Sequence, residues 1–330
     1  MSGLFVQKHV EAVRAQGVDV RVIFSQTWCD TWLQWKALQR EGWIPDVVQL
    51  NVIQKQGLLA LWLKRRYGIP YIVVEHWSGY LPENGQFIRM SAIKRWCYKR
   101  IAKRASIILT VSSNLAEAMK ACGLKNKQWG KISNVVDDFF FAPIKRQTSN
   151  IKNHKTILHV SCFDERAKNV KGLLRAAKIL SDKRQDWQLV LVGTGTDYAE
   201  VRAYAENLDF PSGLLRWTGE LTPQQVADEM QKADALVLSS RYETYGIALA
   251  EAAATGTLIL STPVGIAEEI ANLIVPQEIA QNQPGHFAQF IESILWDTDR
   301  YTDRVQNIDR FTAETIGKQL KAIYEQVQAR

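Results

Sequence analysis

The stretch YETYGIALAEAAATG (242–256) sets two carboxylates, Glu243 and Glu251, eight positions apart, with Gly246 between them. Such a spacing arises by chance in many chains, and two surface glutamates are usually solvated. The surroundings make this pair informative. ALVLSS (235–240) reads as a buried strand, RYETYG as a turn and IALAEAAATG as a helix. In open α/β sheets ligands bind beyond the carboxyl ends of the strands, which puts Glu243 at a crevice. Gly246 lets backbone approach a ligand closely. The N–H groups of Gly246, Ile247 and Ala248 open the helix without intrahelical partners. Together with the helix dipole they suit a diphosphate. Glu251, about one and a half turns into the helix, can accept both hydroxyls of a ribose. Glu243 would face the other end of the ligand, where the hydroxyls of a hexose lie. One acid at each end of a diphosphate is what a nucleotide sugar requires.

The elements that must position these residues follow from the pattern of apolar runs. In the first half, strands are expected at 18–24, 46–52, 70–76 and 106–112, with helical stretches such as QGLLALWLKRRYG and SAIKRWCYKRIAKRA between them. In the second half they are expected at 156–163, 187–193, 214–219, 235–240 and 257–262. Buried strands alternating with helices mean parallel sheets built by right-handed crossovers. Two such series are present. The polar segment APIKRQTSNIKNHK (142–155) separates them and reads as a linker. At the start, SGLFVQKHVEAVRAQG reads as a glycine-led turn running straight into a helix, without the strand that normally precedes such a turn. Either that strand was lost upstream of Met1 or the sheet does without it.

With 330 residues the chain fits two domains of common size. Hydrophobic residues make up 46% and charged residues 23%, as in ordinary globular proteins. No apolar run reaches the roughly eighteen residues of a bilayer span, and MSGLFVQKHVEAV lacks the apolar stretch of a signal peptide. The four cysteines (Cys29, Cys97, Cys122, Cys162) form no CxxC pair and no zinc-spaced cluster. A reducing, cytoplasmic setting is therefore expected. The net charge of +7 is uneven: residues 1–150 hold 22 Lys and Arg against 10 Asp and Glu, the remainder 19 against 24. The basic half, which also carries eight of the eleven tryptophans, should attract an anionic partner.

The glutamate stretch resembles the Glu–x7–Glu motif of the retaining glycosyltransferases of family 4, which have the GT-B fold. HVSCFDERAKNVKGLLRAAKIL resembles that family's first strand–loop–helix of the donor domain, with its phosphate-binding lysine. LVLVGTGTD, LRWTGELTPQQVADEMQKADALVLSS and GTLILSTPVGIAEEI follow in the family's order. PYIVVEHWSGY resembles the strand ending in the acceptor-side histidine, and FTAETIGKQLKAIYEQVQ resembles the last helix, which in this fold packs back on the first domain. The resemblance covers nearly the whole chain. It implies two Rossmann-like, doubly wound parallel-sheet domains facing across a cleft: an acceptor-side domain over 1–145, a donor domain over 151–310 and a returning helix over 311–330.

The same resemblance distributes roles. Lys168 is expected to contact the donor phosphates. A cation at a helix start is unfavourable unless an anion lies there. Lys171 is the competing position. Cys162 stands where the family usually has an arginine, and Arg166 is the expected substitute. His76 is the acceptor-side candidate, against the plain reading of a structural histidine at a strand end. Gly3 matches the glycine-rich turn facing the diphosphate, against simple flexibility near a terminus. Gly193, with Gly195, suggests a dinucleotide fingerprint, but Tyr198 stands where its third glycine would be. Backbone near Gly193, Thr218 and Glu220 is expected near the base. The run IKRWCYKRIAKR (93–104) has six basic residues and no acid. It reads either as a surface helix covering the sheet or as an interfacial helix on anionic lipid. Trp28, Trp32 and Trp35 form a stripe at helical spacing, explained equally by core packing and by an acceptor or membrane groove.

The resulting expectation is a metal-free transferase (EC 2.4). It would move a sugar from a UDP- or GDP-type donor to a saccharide or lipid-linked glycan acceptor, with retention, in polysaccharide or glycolipid synthesis. Glu243, Lys168 and His76 carry the chemistry in this reading. No cofactor and no nucleic-acid partner are expected. The location expected is cytoplasmic, peripheral at the inner face of the cell membrane. The rival readings are a nucleotide-sugar epimerase on the same fold and a truncated, non-catalytic nucleotide-sugar-binding partner.

Overall fold

The structure is a computed structural model that describes residues 3–142, 154–297 and 307–329. The chain divides into two compact units, Met1–Val135 with Arg310–Arg330, and Val136–Asp309. In chain order the first contains α1 (Leu4–Arg14), α2 (Trp28–Arg40), β1 (Val48–Asn51), α3 (Gly57–Tyr67), β2 (Tyr71–Glu75), α4 (Gln86–Arg89), α5 (Ala92–Arg104), β3 (Ile107–Thr110), α6 (Ser113–Ala121) and β4 (Trp129–Lys131). The second contains β5 (Lys155–Val160), α7 (Glu165–Lys168), α8 (Val170–Ser181), β6 (Trp187–Val192), α9 (Tyr198–Glu206), β7 (Leu215–Gly219), α10 (Pro223–Lys232), β8 (Ala235–Leu238), α11 (Ile247–Thr255), β9 (Leu258–Ser261), α12 (Ala267–Ile270), β10 (Leu273–Ile274), α13 (Gln277–Asn282) and α14 (Pro284–Trp296). The last helix, α15 (Ala313–Gln328), belongs to the first unit. The expected linker 142–155 falls mostly outside the described residues, which resume just before β5.

The sheet of the first unit is parallel, in the order β1-β2-β3-β4 among the described residues. β2 is wholly buried, as its run Tyr-Ile-Val-Val requires of a strand covered on both faces. Ile72, Val74 and Leu109 meet Ala12 and Val13 of α1 and Ile316 and Leu320 of α15 in one core cluster. Trp35 of the tryptophan stripe is buried, Trp32 stands edge-on to Trp62 at 5.0 Å, and Trp28 is partly exposed.

The strand expected at 18–24 does not form; these residues run as irregular chain. Val18 and Val20 still pack against the core that holds Val13 and Ile72, and Ile23 against the cluster of Trp35 and Leu63, but Val22 and Phe24 are exposed. Alternating β-branched residues favour a strand only when a neighbour supplies ladder bonds. β1, the nearest candidate, is paired on one side only, to β2.

The sheet of the second unit is parallel with the order β10-β9-β8-β5-β6-β7. The chain lays β5, β6 and β7 outward in one direction, then returns to set β8 against β5 (Leu158 opposite Leu236) and builds outward the other way. The strand order therefore reverses between β5 and β8, where the loops leaving their carboxyl ends diverge and open a crevice. α8 buries Val170, Leu173, Leu174, Ala177 and Leu180 on one face, and these join Leu189, Leu191, Val237 and Phe287 in the core. α10 begins with a capping box of Thr222 and Gln225 and a proline at its first turn. α11, rich in alanine, is buried along most of its length and ends at Gly256 in the left-handed region.

Candidate functional site

The two loops at the strand-order reversal carry the two charged residues that matter most. The loop after β5 passes through Cys162 and Phe163 into α7, whose last residue is Lys168. Asp164 caps this short helix, its side chain accepting from Ala167 N–H at 3.2 Å. Asn169 then adopts a left-handed conformation (φ 51°), and α8 begins one residue later. Lys168 thus closes one turn just ahead of the next helix. The loop after β8 carries Ser239, Ser240, Arg241 and Glu243. Lys168 Nζ and Glu243 Oε1 form an ion pair, each side chain about 15% exposed. Ser240 Oγ donates to the same Glu243 oxygen at 3.0 Å. Lys171, the competing lysine, turns instead to Glu200 of α9 and lies over the Tyr204 ring.

Burial alone would lower the affinity of Lys168 for its proton. The Glu243 carboxylate, with Cys162 and Asp164 nearby, outweighs this and leaves its pKa raised. The lysine is therefore a fixed cation in a half-closed site. His159 of β5 lies buried behind the pair. Its Nδ1 is 2.8 Å from the Val237 carbonyl, which can only accept, so Nδ1 carries the hydrogen. Nε2 then accepts from Ser161 Oγ at 3.0 Å. Burial pushes the His159 pKa down to about 4. A neutral imidazole thus ties the end of β5 to β8 without placing a second cation behind Lys168.

α11 starts beside this pair. Gly246, its N-cap, sits at φ 81°, and a Cβ there would lie 2.8 Å from Leu249 Cδ1 and 3.9 Å from Glu243 Cγ. The backbone conformation calls for the glycine, and a Cβ would in addition press on the Leu249 side chain. Ile247 and Ala248 follow as the first helical residues, whose N–H groups have no intrahelical acceptor. Glu251 lies one turn on, half-buried. Gly193 follows β6 at φ 117°, where a Cβ would come 2.0 Å from Ser161 O. It brings the end of β6 hard against the loop that leads to Lys168. Thr218 is turned inward, its hydroxyl donating to Gly219 O at 3.0 Å, while Glu220 beside it is exposed. Arg166 is exposed on α7 and contributes to the field at Tyr242. The geometry thus brings Lys168, Glu243 and Gly246 together, with Arg166 on the same short helix as Lys168.

His76 and Gly3 belong to the other unit. Glu75, the last residue of β2, is fully buried and accepts from Ile53 N–H (3.0 Å), Trp77 N–H (3.0 Å), His76 N–H (3.1 Å) and the Tyr80 hydroxyl (3.4 Å). Burial nonetheless raises its pKa to about 7. His76 is half-buried and stacked on Phe5 of α1, with ring centroids 6.0 Å apart, and tilted against His9 at 5.9 Å. Burial, with His9 adding to it, lowers the His76 pKa to about 3, so its ring is neutral near pH 7. Gly3 caps α1 in an ordinary helical conformation (φ −88°), and a Cβ there would meet nothing within 4 Å. Nothing in its surroundings demands a glycine.

Four residues around the Lys168–Glu243 pair escaped sequence reasoning: Asn169, Ser240, Arg241 and His159. Asn169 and Arg241 stood inside the quoted motifs, but their part is to bond across a sheet junction, and spacing along the chain carries no signal for that. Among the described residues no group of His, Cys, Asp or Glu is placed to hold a metal ion.

Residues 141–311 match the family model for glycosyl transferases group 1, and residues 27–134 match that for a glycosyl transferase 4-like domain. A phosphatidyl-myo-inositol mannosyltransferase of Mycolicibacterium smegmatis is 26% identical over 203 residues, covering 60% of this chain and 52% of the relative. The chain spans about half the length of the first curated relatives it matches. Among solved structures, sucrose-phosphate synthase from Thermosynechococcus elongatus superposes with a TM-score of 0.76 at 19% identity, covering 100% of this chain and 94% of that one. The Anabaena protein HepE in complex with UDP-glucose gives 0.70 at 19% identity, covering 96% and 88%.

Proposed function

The chain belongs to the glycosyl transferases group 1 family and has the GT-B fold, and on that premise we propose that it transfers a sugar from a nucleotide-sugar donor to a saccharide or lipid-linked glycan. The observation that carries the reading is the Lys168–Glu243 pair at the strand-order reversal, beside the N-terminus of α11. The donor diphosphate would sit over Gly246, Ile247 and Ala248, where helix N–H groups and the dipole favour an anion. Lys168, joined by Arg166, would neutralise the charge that builds on the departing nucleoside diphosphate. Preorganised charge aimed at a leaving group is the largest expected catalytic effect. Glu243 would exchange its lysine contact for hexose hydroxyls, and Glu251 would take the ribose. The base would lie near Gly193, Thr218 and Glu220. With the diphosphate neutralised in this way the scheme calls on no metal, and the anomeric configuration would be retained. Gly3 would approach the diphosphate, and neutral His76 would hold the sugar or acceptor.

The acceptor is assigned to the basic first unit, at the cytoplasmic face of a membrane. α5 supports this. It exposes Ile93 (77%) and Trp96 (60%) among Lys94, Arg95, Lys99, Arg100, Lys103 and Arg104, the composition of an interfacial helix. Among the described residues no helix is long and apolar enough to cross a membrane.

A panel of UDP-, GDP- and ADP-sugars tested by thermal shift checks the donor reading, since a ligand bound only by the folded state raises its melting temperature. One nucleotide class should stabilise the chain, and the matching nucleoside diphosphate should appear as product once a glycan or glycolipid acceptor is added. No shift with any donor would sink the reading.

A further inference from the structure

Arg241 stands two residues before Glu243, in the loop after β8, and both its backbone N–H and its guanidinium bond across to the turn that carries Lys168. Its backbone N–H donates to Ala167 O at 2.7 Å. Nη1 donates to Glu165 O and reaches Arg166 O at 3.5 Å. Nη2 donates to Asn169 Oδ1 at 2.7 Å and lies 3.8 Å from the Glu165 carboxylate. Glu165, Arg166 and Ala167 precede Lys168 and Asn169 follows it, so the arginine grips the turn on both sides of the lysine. Its neighbour Ser239 holds the carbonyls of Lys168 (3.1 Å) and Asn169 (3.0 Å) from the same strand end. Gln277 in turn holds the Arg241 carbonyl at 3.0 Å.

Asn169 shows why a clamp is needed. It is buried in a left-handed conformation that costs free energy for any residue with a Cβ. Its side chain is held by Arg241 on one end and by the Ala280 carbonyl, 3.1 Å away, on the other. The two arms of a planar guanidinium can meet a carbonyl and a side-chain amide together, whereas a lysine ammonium would be a single point on a flexible stem.

We propose that Arg241 is a positioning residue for Lys168 and Glu243: it registers the turn that carries the lysine against the loop that carries the glutamate. The two charged ends then reach the donor diphosphate as one unit, a consequence that rests on the donor-site reading above. The registration itself does not depend on that reading.

The test uses the full chain with Arg241→Gln and Arg241→Lys. Reductive methylation by formaldehyde, followed by mass spectrometry, measures how fast each lysine amine reacts. Lys171, which shares the peptide 166–200 with Lys168 when the chain is cut after glutamates but is turned toward Glu200, is the internal reference. In the wild type Lys168 should react slowly. In Arg241→Gln its rate relative to Lys171 should rise at least about fivefold, with Arg241→Lys in between. General loosening would raise both lysines together and leave the ratio unchanged, and an unchanged ratio overturns the proposal. If Arg241→Gln fails to fold, the Lys variant decides by the same ratio. Transfer assays add a second readout: kcat should fall by about tenfold or more while the donor KM moves by less than about threefold. An equal effect on both, or a loss confined to KM, counts against registration. A wild-type chain that ignores every nucleotide sugar would defeat the donor-site reading, while the labelling ratio would still decide the clamp.

Discussion

Lys168 and Glu243 each hold the other's charge in a site that water barely reaches, so removing either strands its partner. Lys168→Ala and Glu243→Ala should each abolish transfer and each destabilise the fold by about 3 kcal/mol, the usual penalty for leaving one buried charge unpaired. The double variant should recover much of that stability and none of the activity, as urea denaturation and a product assay would show. Recovered activity in the double variant would remove both residues from the proposed chemistry. Glu75 makes a different prediction. Its folded pKa of about 7 lies above the ordinary 4.5, so the folded chain holds this proton more tightly than the unfolded one. Raising the pH from 4.5 to 7 must therefore cost stability, about 3 kcal/mol at 1.4 kcal/mol per pH unit. Neutral His76 and His9, whose pKa values are lowered, act in the opposite sense below pH 6.5. The difference in unfolding free energy between wild type and Glu75→Gln isolates the carboxyl. It should shift against the wild type by that amount between pH 4.5 and 8, and a flat difference would show that Glu75 ionises normally.

At the scale of elements, α5 joins charge and exposed apolar surface in one helix. Ser91 caps it, accepting from Lys94 N–H, and only Ile101 and Ala102 are buried, so most of its surface faces outward. Arg100 lies over the Trp96 ring at 5.5 Å, which keeps a cation beside an apolar face. Binding to vesicles rich in anionic lipid should weaken with salt, at about 1 kcal/mol per basic residue near the surface. Ile93→Ser with Trp96→Ser should lower co-sedimentation at least about tenfold, without loss of thermal stability, because neither side chain is buried. Unchanged co-sedimentation would exclude α5 as the contact. The elements also show how far the sequence could be read. β2 and β8 were legible because a short, continuous apolar run between breakers has few other uses. The three-residue β4 and two-residue β10 carry too few residues for any period, and they form because neighbouring strands offer a ladder. The run 18–24 had the right pattern, yet it pairs with no strand and the outer edge of β1 stays without a partner among the described residues.

At the scale of the whole molecule, the chain's last helix completes the core of the first unit. A Cβ on Gly317 of α15 would lie 2.4 Å from the backbone oxygen of Ala12, so the two helices meet backbone to backbone. Ile316 and Leu320 beside it fill the same core as Val13 and Ile72. Tyr324 reaches further, its hydroxyl donating to Gln49 of β1 at 2.6 Å. Gly317→Val should force α15 off α1 and cost about 1–3 kcal/mol, the usual penalty for overpacking. Amide exchange should then quicken in β2 and β3 and stay unchanged in β5 and β8, which belong to the other unit. Equal quickening in both sheets would mean that the units unfold as one.

The sequence by itself determined the alternation of buried strands and amphipathic helices, the order of the motifs and the glycine ahead of α11. Each of these is written in neighbouring residues, through side-chain period and backbone sterics. Only the tertiary structure decided that Lys168 rather than Lys171 meets Glu243. It also decided that Arg241 and Asn169 bind the two loops together, that Glu75 is sealed from water and that 18–24 stays irregular. Those outcomes depend on which strand ends become neighbours and which backbone groups find partners, and contacts between residues some seventy positions apart leave no local pattern to read.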